Sequence, residues 1–358
     1  MTTEQDFIFT ASENTLPENA SFTWKAPSNI ALIKYWGKSK PQLPKNASIS
    51  FTLDACYTQT TVEFTKSTNA DITVYFEEQQ KDDFKPKIQQ FINRIKEYVP
   101  FITEYSMIVR TRNSFPHSSG IASSASGMAA LALCMMSLEK TINPTISEDY
   151  FFQKASFLAR LGSGSAARSI EGPLVVWGTH PEIKNSSDLF GEKFPHKVHE
   201  NFHNFHDTIL LVDKGEKQVS STVGHNLMHN HPFAEQRFKQ ANKNLAKLSK
   251  VLQTGDLKSF IHIVESEALT LHAMMLTSDP YFILMKPNTL EIIQKIWKFR
   301  AETETNICFT LDAGANVHVL YPEKEKEICN KFIVNELIKY CQNQHYICDM
   351  VGFGAKQI

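Results

Sequence analysis

Apolar and polar residues alternate along Asn46–Leu53, Thr60–Phe64, Asp71–Phe76 and Tyr105–Arg110, and each stretch predicts a half-buried strand. Thr68 to Asp71 has turn composition and predicts a hairpin between the second and third of these. Short continuous apolar runs at Leu174–Trp177, Thr208–Val212, Ile307–Leu311 and Val317–Leu320 predict buried strands. Apolar residues recur at helical spacing in Ile88–Val99, Tyr150–Leu161, Ala234–Leu252, Leu257–Met275, Leu290–Glu302 and Glu323–Tyr340. Strands and helices follow one another without a regular βαβ rhythm, so the class is α+β. A polar stretch with Pro181, Pro195 and an Asn-Ser-Ser-Asp cluster separates two halves, 22–190 and 200–358, and residues 1–21 read as a loose leader.

One stretch breaks both periodicities. From Ser114 to Gly127 the chain is almost all small residues with no charge, and it then runs into Met128–Leu133, good helix formers. A small-residue loop that opens a helix presents free N–H groups and a positive dipole end, which suits a polyphosphate. Close helix packing through Ala, Ser and Gly accounts for the same composition without a ligand. Gly-Lys-Ser/Thr is missing, so this is not a Walker loop. A second small-residue turn, Gly-Ser-Gly-Ser-Ala-Ala-Arg-Ser (162–169), ends in a single arginine.

Three residues carry candidate chemistry. Asp312 closes an apolar strand before Gly314, which suits a partly desolvated catalytic carboxylate and equally a turn aspartate. Arg168 offers a rigid fork for a carboxylate or phosphate, or lies on the surface. Lys34 sits in an apolar strand, where a buried cation needs an acidic partner. His196, His199, His203 and His206 are spaced three, four and three apart and on one helix would share a face, but Pro195 and interleaved phenylalanines argue against a metal site. His225, His229 and His231 read as loop histidines.

Composition narrows the classes. The 358 residues carry a net charge of −1, and the basic residues are dispersed, which gives no reason to expect nucleic acid or an anionic membrane as partner. Met128–Met136 is too short to span a bilayer, and residues 1–21 lack the features of a secretory signal. The six cysteines include no C-x-x-C pair and fit a reducing, cytoplasmic location.

Taken together, five blocks carry a resemblance. Asn-Ile-Ala-Leu-Ile-Lys-Tyr-Trp-Gly-Lys (29–38), Gly-Ile-Ala-Ser-Ser-Ala-Ser-Gly (120–127), the 162–169 turn, Val-Ser-Ser-Thr-Val-Gly (219–224) and Leu-Asp-Ala-Gly-Ala-Asn (311–316) occur in the order found in the diphosphomevalonate decarboxylase family of the GHMP kinase superfamily, which the chain resembles from about residue 22 to its end. The resemblance implies a two-domain GHMP kinase-like fold, with a ribosomal protein S5 domain 2-like N-terminal half and an α/β-sandwich C-terminal half. It implies ATP-dependent decarboxylation of mevalonate 5-diphosphate to isopentenyl diphosphate, with ATP and Mg2+, in a homodimer. By position, Asp312 matches the family's catalytic aspartate, Lys34 a lysine beside it, and Arg168 the arginine that holds the substrate carboxylate. Tyr35, Lys38, Ser163 and Ser165 match positions around the substrate diphosphate. Ser118, Ser119, Gly120, Ala122, Ser123 and Ser124 match the ATP-phosphate loop, with Ser124 as a magnesium contact. His117, Ala167, Glu171-Gly172-Pro173, His225 and Ala315 depart from the residues usual in the family. A mevalonate-ester 3-kinase, a phosphomevalonate decarboxylase and a silent GHMP-fold sensor are the competing readings.

Overall fold

The computed structural model of the protein describes residues 2–10, 15–39, 41–116, 121–214 and 221–358, the side chains of Ser221 and Thr222 excepted. In chain order, β1 (Asn19–Ile33) leads to a small pair, β2 (Lys38–Ser39) and β3 (Leu43–Pro44), and then to the long β4 (Ser48–Lys66). β5 (Ile72–Phe76), β6 (Gln79–Gln80), α1 (Lys85–Ile95), β7 (Tyr105–Asn113), α2 (Ser123–Ile142), α3 (Glu148–Gly162), β8 (Leu174–Trp177) and β9 (Glu192–Lys193) complete the first half. The second half holds β10 (His206–Leu210), α4 (Ser221–Asn226), α5 (Ala234–Thr254), α6 (Leu257–Leu276), α7 (Pro287–Thr303), β11 (Cys308–Thr310), β12 (Val317–Tyr321), α8 (Lys326–Phe332), β13 (Tyr346–Met350) and β14 (Lys356–Gln357).

Two sheets organise these elements. The first runs β14-β1-β4-β7-β5-β6, and β8 and β9 continue from the start of β4; the second runs β11-β12-β10-β13. β4 is long enough to serve two neighbours, β8 along Ser48–Phe51 and β7 along Thr58–Lys66. That occupancy corrects the expected hairpin. β7 already holds the edge of β4 that β5 would need, so β5 pairs with β7 in parallel, Ile72 opposite Met107. Alternation identifies a strand but not its neighbour, because the side-chain period is the same whichever edge it joins.

α2 is buried along nearly its whole length, from Ala125 to Glu139, between the first sheet and α3. A helix wrapped on all sides has no polar face to keep. Its one deep acid, Glu139, is paired with Lys154 of α3 at 2.7 Å. Among the described residues no helix is long and apolar enough to cross a membrane. A second core joins the halves, with Ile30, Ile33, Ile49 and Phe51 of the first sheet packing on Leu245, Leu248 and Phe260 of α5 and α6.

Other expectations need correction. The supposed leader is anchored where it is described: Phe7 is buried, stacked on Phe157 at 4.5 Å and edge-on to Phe190, and Glu4 accepts from Tyr98 Oη. One aromatic in a polar segment is enough to dock it, and composition hides that. The second half does not keep to itself, since β14 returns to pair with β1 at Trp24 and Lys25. Glu323–Tyr340 is no single helix, for α8 gives way to a π turn at Ile333–Leu337 and a 3-10 turn at Ile338–Tyr340. The four spaced histidines share no helix: His199 caps a 3-10 turn by accepting from the Asn201 N–H, and His206 lies in β10 against Glu323. Among the described residues no group of three or more His, Cys, Asp or Glu side chains is placed to hold a metal. All six cysteines are free, and only Cys348 is exposed.

Candidate active site

The chain leaves β1 at Ile33 and turns away through Lys34-Tyr35-Trp36-Gly37, which displays Lys34 and Tyr35 where the two sheets meet. Lys34 Nζ reaches Asp312 Oδ1 at 3.1 Å. The lysine side chain is 2% exposed and the aspartate 27%, so the pair opens outward on the carboxylate side. Burial pushes the Lys34 ammonium below its ordinary value; the Asp312 charge opposes that most, Glu267 adds to the opposition, and Arg168 works against both. The acidic partner that a buried strand lysine requires is thus Asp312, at the end of the β11 strand run 278 residues away.

The backbones of both residues are clamped as well. The Lys34 N–H donates to Glu267 Oε2 at 2.9 Å, and its carbonyl accepts from Asn46 Nδ2 at 3.0 Å. Arg237 forks onto Glu267 with bonds of 3.0 and 2.5 Å, and Asn244 adds one of 2.7 Å. His272 Nε2 donates to the Asp312 carbonyl at 3.1 Å. Burial holds the His272 ring down to about 4, so it is neutral at physiological pH and its one ring proton sits on Nε2.

Arg168 lies in the 3-10 turn Gly164–Ser169 and is buried, not on the surface. Its Nε donates to Ser50 Oγ at 2.6 Å and its Nη1 to Ser48 Oγ at 2.5 Å, which fixes the fork. Burial lowers this guanidinium to about 10 against the attraction of Asp312 and Tyr35, which places all three in one electrostatic neighbourhood. Tyr35 packs edge-on to Trp177 at 4.6 Å, and its buried hydroxyl has no hydrogen-bond partner among the described residues. Burial, opposed by Arg168 and Arg160, pushes that phenol up. A Cβ on Gly164 would stand 2.9 Å from the Tyr35 hydroxyl, so only glycine leaves room there. Ser163 and Ser165 are half-buried at the mouth of the same turn, and Lys38 is half-buried, with burial lowering its ammonium.

At the start of α2, Ala122 stands in the left-handed region at φ 47 and turns the chain into the helix at Ser123. Ser124 is exposed there, and Lys87 Nζ donates to its Oγ at 2.8 Å. Ser118, Ser119 and Gly120, with His117, lie outside the described residues.

Several residues of the site carry no signal in the sequence. Glu267, Arg237, His272, Ser48 and Ser50 reach it only through tertiary packing, and Lys87 arrives from α1. His225 was read as a loop histidine. It lies in α4, buried between Tyr35 and Trp36 with ring centroids 4.3 and 4.6 Å away, and its Nδ1 accepts from the Gly37 N–H at 2.9 Å. Burial, with help from Lys38 and Arg168, holds this imidazole down to about 3. Its single proton therefore sits on Nε2. The only hint in the sequence is that position 225 departs from the residue usual in the family that the chain resembles.

A buried lysine on an aspartate and a buried arginine at the junction of two sheets, with a small-residue sequence that opens α2 at Ser123, define a two-domain GHMP kinase-like α+β protein. Residues 26–188 match the diphosphomevalonate decarboxylase-like N-terminal domain, and residues 208–352 match the mevalonate 5-diphosphate decarboxylase C-terminal domain. A diphosphomevalonate decarboxylase from Ganoderma lucidum is 32% identical over 93% of this chain and 85% of its own length. The chain belongs to the diphosphomevalonate decarboxylase family. Its fold is similar to that of MDDEF solved in complex with MVAPP, AMPPCP and magnesium, with a TM-score of 0.82 and 29% identity over 95% of this chain and 99% of that one. It is also similar to mevalonate diphosphate decarboxylase from Staphylococcus aureus, with a TM-score of 0.81 and 27% identity over 95% of this chain and 98% of that one.

Proposed function

We propose that this protein is an ATP-dependent decarboxylase that converts mevalonate 5-diphosphate to isopentenyl diphosphate, CO2, ADP and phosphate. The observation that carries this reading is the buried Lys34 held on Asp312 at 3.1 Å in the field of Arg168. Asp312 accepts or orients the proton of the substrate's 3-hydroxyl, whose oxygen then attacks the γ-phosphorus of ATP as ADP departs. Lys34 keeps Asp312 ionised and offsets charge on the transferring phosphoryl group. Arg168, its fork set by Ser48 and Ser50, holds the substrate carboxylate. When the C3–O bond breaks and phosphate leaves, the electrons of the carboxylate C–C bond form the new double bond and CO2 is released. A tertiary alcohol leaves poorly; its phosphate leaves well.

Tyr35, Lys38, Ser163, Ser165 and His225 take the substrate diphosphate. The Tyr35 hydroxyl, without a hydrogen-bond partner among the described residues, and the Nε2 proton of His225 support that assignment, since both are donors with two cations near them. The N-terminal half, 22–190, binds the ATP phosphates through Ser118, Ser119, Gly120, Ala122, Ser123 and Ser124, with Lys87 as a further cation. Magnesium neutralises phosphate oxygens when bound, and the exposed hydroxyl of Ser124 is the hard oxygen ligand that a phosphate-borne ion keeping its waters would accept. The half from 200 onward contributes Asp312. Six free cysteines support a reducing, cytosolic location. We assign a homodimer on the family resemblance, and sedimentation would read a particle of twice 40.7 kDa.

The test is turnover with ATP and, in separate reactions, mevalonate 5-diphosphate, mevalonate 5-phosphate and mevalonate, following ADP and CO2 together. Equal release of both with the diphosphate alone is expected. ADP without CO2 would make the protein a kinase, release of both from the monophosphate would change the substrate, and neither product from any of them would leave a sensor.

A further inference from the structure

The reacting pair comes from opposite halves of the chain, Lys34 at the end of β1 and Asp312 after β11, and something must set their separation. α6 lies against both of these strands. From it Glu267 accepts the backbone N–H of Lys34 at 2.9 Å, and five residues on, His272 donates to the backbone carbonyl of Asp312 at 3.1 Å. Five residues of helix span roughly 7.5 Å along the axis. Both side chains are buried and rigidly partnered: Glu267 carries Arg237 and Asn244, and the Arg237 fork also reaches the Lys34 carbonyl at 3.4 Å. We propose that Glu267 and His272 are positioning residues of the reaction, and that α6 is the spacer that holds Lys34 and Asp312 in register across the two halves. The proposal rests on the reading of Lys34 and Asp312 as the reacting pair.

The arrangement also has an electrostatic side. The charged and titratable groups around Lys34 are Asp312, Glu267, Arg168, His272 and Arg237. His272 stays neutral, the two carboxylates favour the ammonium, and Arg168 disfavours it. A Glu267–Arg237 pair that only joined the halves would contribute stability and, through its charge, move the Lys34 titration, but would leave kcat on the protonated plateau unchanged. A positioning pair lowers that plateau kcat as well.

Glu267→Gln keeps the shape and an acceptor but removes the charge. Lys34 then loses its proton at lower pH, so the alkaline limb of the kcat profile moves down. Displacement of Lys34 should lower kcat on the order of 10²-fold with little change in either KM. His272→Leu should lower kcat similarly without moving the alkaline limb, and His272→Gln, which can restore a donor to the Asp312 carbonyl, should recover most of it. If Glu267→Gln does not fold, Glu267→Gln/Arg237→Gln removes both charges, and the two His272 variants still decide the matter. Normal plateau kcat in folded Glu267→Gln, or normal kcat in His272→Leu, overturns the proposal. A structure of folded His272→Leu reads the positioning without turnover, with the Lys34 Nζ–Asp312 Oδ1 separation expected to lengthen from 3.1 Å. An unchanged separation there defeats this inference, whereas a wild type that yields no ADP or CO2 defeats only the assigned reaction.

Discussion

Asp312→Asn separates chemistry from structure at the centre of the site. Asparagine keeps the size but cannot take the hydroxyl proton or pair as an anion with Lys34. Loss of a general base alone costs roughly 10²–10⁴-fold in kcat. The ion pair adds a stability effect that can be worked from the geometry. Two unit charges 3.1 Å apart attract by about 5 kcal/mol at an effective dielectric of 20. Solvent on the Asp312 side, 27% exposed, screens part of this, and Glu267 still favours the ammonium, leaving a loss on the order of 2–3 kcal/mol. The loss has a pH signature. Lys34 is lowered in the folded protein from its ordinary 10.5, so the unfolded chain binds the proton more tightly, and stability rises with pH between the folded value and 10.5. Without Asp312 the folded value drops further and the rise begins earlier. The deficit against wild type is therefore largest near neutrality and shrinks toward about pH 10, as Lys34 in the variant sheds its proton. Thermal melts of both proteins across that range, with turnover on the same samples, measure this. Near-normal turnover would refute the mechanism, and a deficit that stayed constant with pH would refute the account of the ion pair.

Arg168→Ala should raise KM for mevalonate 5-diphosphate by a factor corresponding to about 2–5 kcal/mol and leave KM for ATP nearly unchanged; the reverse pattern would remove the arginine from the substrate carboxylate. Ser124→Ala should raise KM for ATP and the magnesium requirement more than KM for the mevalonate ester, because Lys87 then loses its anchor at the head of α2; unchanged ATP kinetics would make Ser124 a packing residue. His225→Met should weaken substrate binding several-fold, about 1 kcal/mol for one lost hydrogen bond, equally at every pH between about 5 and 9 since the imidazole is neutral throughout; a pH-dependent effect would mean that the ring is charged when it works.

Local pattern was enough to mark most strands and helices, because period and composition are set by which face each element buries. It marked the Ser/Gly loop as the head of a helix and Asp312 as a strand-end acid. It also showed that Lys34, in an apolar run, needed an acid, because an unpaired ammonium is costly wherever it is buried. Which acid it meets has no local signal: only the family resemblance placed Asp312 beside it, and the packing of β1 against the second half brings the two to 3.1 Å. The same holds for β5, whose alternation was legible while its partner was not, since β7 had already taken the edge of β4. Phe7, β14, Arg237, Glu267, His225 and His272 left no mark in spacing or composition, because each acts through a contact with residues far away in the chain. Sequence by itself determined what kinds of groups the site would contain. Tertiary structure decided how far apart they stand and what holds them there, because distance between residues from separate halves follows from packing and has no local code.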